Sequence, residues 1–121
     1  LLQVAALRGR MMELLVEANQ PRDHKLADLA FLTGILSMMP LALGLPIEEI
    51  IEQIAVEREV GSALCRHEGL LGTALALLER FDGDDAVGCD ELLSALPGHF
   101  DRQALNTCLS VALRWLNCAS T

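Results

Sequence analysis

The sequence contains no tyrosine, and its aromatic residues are only Phe31, Phe81, Phe100 and Trp115. Proteins that read single-stranded nucleic acid stack bases on aromatic side chains, and so few rings do not furnish that platform. β-Branched residues are scarce too: 6 Val, 5 Ile and 4 Thr stand against 25 Leu and 15 Ala. Leu and Ala lose little side-chain freedom in a helix, whereas β-branched residues fit strands, so a sandwich, a barrel or a parallel sheet is excluded. Basic residues are also short. Nine Lys and Arg face 17 Asp and Glu, for a net charge of −8. Such a surface releases no counterions from a phosphate backbone or an anionic lipid face, so neither nucleic acid nor membrane is an expected partner.

The usual chemical signatures are missing. No phosphate-binding glycine loop, dinucleotide fingerprint, H-E-x-x-H or G-x-S-x-G occurs. The cysteines Cys65, Cys89, Cys108 and Cys118 form no C-x-x-C pair and read as reduced thiols of a cytoplasmic protein. Cys65 and His67 lie close together, but no second pair has metal-site spacing, so no zinc and no cofactor are expected. His24, His67 and His99 all fall near predicted helix ends, where caps and surface positions are the ordinary roles. Asp82-Gly83-Asp84-Asp85 fails as a calcium loop, because positions 5, 6 and 12 would be Ala86, Val87 and Leu93. It reads instead as a turn that caps a helix over 85–95.

What is present is apolar and helical. The hydrophobic fraction is 52% and the mean hydropathy is +0.37, which excludes a disordered chain. The length allows one domain with one core. Residues 1–18 repeat apolar positions at three- and four-residue steps and stop at Asn19-Gln20-Pro21. A second helix is expected over 24–39 behind an Asp23 cap, and 26–39 is apolar nearly all round. Gly34, Pro40, Gly44 and weakly basic flanks argue against a membrane span, so this helix is expected to be central and covered on every side. Pro46-Ile47-Glu48-Glu49 starts the next helix. Others follow over 56–67, ending at a Gly69 cap, then over 70–81, 85–95 and, after Pro97-Gly98, 101–117. Gly72 is expected to let a neighbouring helix come close. The expected fold is all-α, a compact bundle of about seven short helices in a single domain over 1–121.

Several segments together carry a family resemblance. In order they are Arg8-Gly9-Arg10-Met11-Met12-Glu13-Leu14-Leu15, Ala30-Phe31-Leu32-Thr33-Gly34-Ile35-Leu36-Ser37-Met38-Met39, and Leu45-Pro46-Ile47-Glu48-Glu49-Ile50-Ile51. Val60-Gly61-Ser62-Ala63-Leu64, Glu68-Gly69-Leu70-Leu71-Gly72 and Trp115 complete the series. The chain resembles the C-terminal part of an HDOD domain (HD-related output domain), the kind found behind EAL domains in bacterial cyclic di-GMP signalling proteins. The resemblance covers nearly the whole chain. It implies further helices ahead of Leu1 and a longer parent protein, in keeping with a sequence that starts inside an amphipathic run.

HD-type phosphohydrolases, which HDOD domains resemble in fold, hold divalent metal with a His-Asp dyad and further His and Asp ligands. The resemblance places the dyad at Ser37 and Met38 here, and no His-Asp dipeptide occurs anywhere in the chain. A thioether is no ligand for a hard cation. The resemblance therefore implies a non-catalytic signal-transduction module that docks on a protein partner or an adjacent domain, EAL-type in this family, or on a second copy of itself. The terminal helices supply the candidate docking surface: Leu1, Leu2, Val4 and Ala5 at one end and Trp115 at the other. The alternative is a divergent metal-dependent phosphohydrolase using the acids at 82–91 and His99. A helix-turn-helix over the last helix is opposed by the chain's acidity and by its lone pair of basic residues, Arg102 and Arg114.

Overall fold

The computed structural model describes residues 2–82 and 102–120. Its helices are α1 (Leu2–Asn19), α2 (His24–Leu36), α3 (Met39–Leu43), α4 (Ile47–Ile54), α5 (Arg58–Arg66), α6 (Gly69–Asp82) and α7 (Arg102–Ser120). No strand occurs among the described residues, and the all-α expectation holds. The expected helix over 85–95, the Asp82–Asp85 turn beyond its first residue, the Pro97-Gly98 break, Cys89, His99 and Leu1 lie outside the described residues.

The helix ends follow local chemistry. Asp23 caps α2 by accepting a hydrogen bond from the Leu26 amide at 3.0 Å. The expected continuous helix over 24–39 is instead two helices, broken at Ser37–Met38. In an unbroken helix the Pro40 ring would strike the Leu36 carbonyl, so the chain restarts with Pro40 in the first turn of α3. Gly44 ends α3 in the left-handed region at φ 69°. Gly69 does not cap α5 as expected. His67 does, at φ 55°, and Gly69 opens α6 at φ 73°. Gly72 is needed for a close approach, but to the preceding turn rather than to another helix. A Cβ there would lie 2.1 Å from the His67 carbonyl carbon.

The core lies where α1, α2, α5 and α6 pack together, with α7 laid against α1. Met12 and Val16 of α1, Val60 and Ala63 of α5, and Leu105 and Ala112 of α7 are sealed from solvent. The most enclosed helix is α6, which buries Leu71, Ala74, Leu75, Leu77 and Leu78. That role was expected of α2, and the structure corrects it. The stretch His24–Leu43 has a mean hydropathy of 1.8, yet only 28% of it is buried. Ala27, Ala30, Thr33, Gly34 and Leu36 face inward, while Leu32, Leu41 and Leu43 are exposed. Length and apolarity alone would let this stretch cross a membrane, but one such weak stretch, interrupted at Ser37–Met38, does not make a transmembrane helix.

Candidate functional site at the crossing of the terminal helices

The backbones of α1 and α2 approach closely at Gly9 and Gly34. A Cβ added to Gly34 would lie 2.5 Å from the Gly9 Cα, and one added to Gly9 would lie 2.8 Å from the Phe31 carbonyl oxygen. Only hydrogen fits on either side. An isolated glycine inside an apolar helical pattern signals a packing reason, and Gly9 carried that signal without being picked out.

This approach brings α1 onto the positions that the HDOD resemblance assigns to the dyad. Ser37 Oγ donates to the Gly34 carbonyl at 2.7 Å and accepts from Arg8 Nη1 at 3.5 Å. Met38 is buried against the core. The hydroxyl thus has a carbonyl to donate to and a guanidinium to accept from. Arg8 sets a fixed positive charge beside position 37. Among the described residues, no three His, Cys, Asp or Glu side chains are grouped so as to hold a metal ion. Sequence reading missed the role of Arg8.

A second cluster ties α7 to the same crossing. Trp115 meets Phe31 edge-on, with ring centroids 6.0 Å apart and planes at 81°. The Arg10 guanidinium lies 5.9 Å from the Trp115 ring centroid and pairs with Glu13 one turn along α1. Trp115 is therefore half-buried and engaged on two sides, not a loose apolar knob. Of the other expected docking residues, Leu2 opens α1, Val4 is 48% exposed, and Ala5 is 1% exposed. Ala5 is corrected from surface to interior, because it shares the inward stripe of α1 with Met12 and Val16. Leu113 of α7 is 44% exposed.

Depressions mark the described surface. A cleft of about 330 Å³ is lined by Leu26, Arg58, Glu59, Ser62, Glu68 and the start of α6. It mixes charges of both signs. A smaller groove of about 240 Å³ opens where α1, α6 and α7 meet, lined by Val4, Leu7, Arg8, Met11, Leu78 and Leu109. Val4, an expected docking residue, thus borders a groove.

Cys108 on α7 is half-buried, and burial pushes its thiol pKa up. Cys65 and Cys118 are exposed. His67 Nε2 lies 2.6 Å from Glu79 Oε1, which ties the end of α5 to α6 at the surface.

No protein-family model matches the chain. No solved structure matches it either. Curated relatives do. The chain is 32% identical over 108 residues to cyclic di-GMP phosphodiesterase CdgJ of Vibrio cholerae, a stretch covering 89% of the chain and 24% of the relative. It is 26% identical over 118 residues to the uncharacterized protein YuxH of Bacillus subtilis, covering 95% of the chain and 26% of the relative. The chain thus spans about a quarter of the length of these relatives.

Proposed function

We propose that the chain is a non-catalytic, HDOD-type regulatory module of a cyclic di-GMP signalling protein, acting in the cytoplasm by docking on an adjoining domain or partner protein. The observation that carries this reading is the identity to the Vibrio cholerae phosphodiesterase along 89% of the chain. The Ser37–Met38 pair beside Arg8 supports the non-catalytic half, since a hydroxyl held by a guanidinium and a thioether stand where the resemblance would put a His and an Asp ligand. In physical terms the module biases a partner between two states by binding one of them more tightly. A difference of about 1–3 kcal/mol shifts that equilibrium roughly 5- to 150-fold.

The test exchanges this chain for the matching quarter of the Vibrio cholerae phosphodiesterase. Cyclic di-GMP hydrolysis by the chimaera is compared with that of a deletion lacking the segment and of the unaltered enzyme. The expected result is a chimaera that departs from the deletion toward the unaltered enzyme, and no hydrolysis by the isolated chain with Mg²⁺ or Mn²⁺. A chimaera indistinguishable from the deletion, or metal-dependent hydrolysis by the chain alone, overturns the reading.

A further inference from the structure

We draw no further inference here: the strongest candidate, the groove of about 240 Å³ where α1, α6 and α7 meet, carries nothing further because nothing among the described residues shows what covers it.

Discussion

Gly9 and Gly34 form a contact in which neither residue tolerates a side chain: a Cβ on Gly34 would lie 2.5 Å from the Gly9 Cα and 2.7 Å from its nitrogen. The obstacles are backbone atoms, which cannot swing aside as the end of a side chain does. Gly34→Ala is therefore expected to push α1 off α2 and destabilise the fold by about 1–3 kcal/mol, despite alanine's better helix propensity. Urea unfolding followed by circular dichroism measures this. The same variant should loosen the edge contact between Phe31 and Trp115, seen as a change in Trp115 emission in the native state. Unchanged stability and emission would show that the two helices do not pack on their glycines.

Ala55 ends α4 at φ 57° and is exposed, without a glycine's freedom at that angle. A left-handed conformation costs an L-residue with a Cβ roughly 1–2 kcal/mol. Ala55→Gly is expected to stabilise the chain by about 0.5–1 kcal/mol, part of the gain being offset by the entropy of a more flexible unfolded chain. The measurement is again the urea midpoint at constant slope. His67, at φ 55°, is a poorer place for the same change, because His67→Gly also removes the contact to Glu79.

The all-α class, the Asp23 cap and the C-terminal end of α1 were legible in the sequence because each depends on neighbours a few residues apart. The break at Ser37–Met38 was also local, written in Pro40, but the apolar run around it masked the signal. What could not be read was which apolar helix becomes central. Leu26–Met39 and Leu70–Phe81 are similarly greasy, and only the tertiary arrangement decides that α6 is enclosed while Leu32, Leu41 and Leu43 remain exposed. The groove was half legible. Val4 was named from its terminal position, but Leu78 and Leu109 reach it from distant parts of the chain, and no spacing rule connects them. Ala5 was misjudged because terminal position says nothing about the side of a helix on which a residue falls.

Cys108 gives the fold a pH signature. Burial raises its thiol pKa in the native state, so the unfolded chain loses that proton at lower pH. The neutral thiol's contribution is complete below the unfolded thiol range and is lost as pH rises through the native one. Stability should therefore fall on the alkaline side, and Cys108→Ala should flatten that part of the profile. In labelling with iodoacetamide near pH 8, Cys65 and Cys118 should react ahead of Cys108, whose thiolate is scarcer and less accessible. Equal labelling rates at the three sites would contradict the assigned burial.

Installing at Ser37 and Met38 the His-Asp dyad of the family that the chain resembles should not create a metal centre. In Ser37→His with Met38→Asp, two ligands of the family pattern are placed at the end of α2, but Arg8 remains within reach of position 37, where its Nη1 now lies 3.5 Å from the serine hydroxyl. A guanidinium about 4 Å from a divalent cation opposes it by roughly 8 kcal/mol at an effective dielectric of 20, twice the figure for a pair of unit charges. The described residues also contain no grouped set of three acids, histidines or cysteines to complete the coordination. Elemental analysis of the dialysed variant should find no stoichiometric manganese, iron or zinc. Adding Arg8→Ala removes the repulsion without adding a ligand, so weak, sub-stoichiometric binding is the most it should bring. One metal per chain in the two-residue variant, accompanied by hydrolysis of cyclic di-GMP, would mean that the site lacks only its dyad, and that the chain is an enzyme disabled by two substitutions rather than a module built around Arg8.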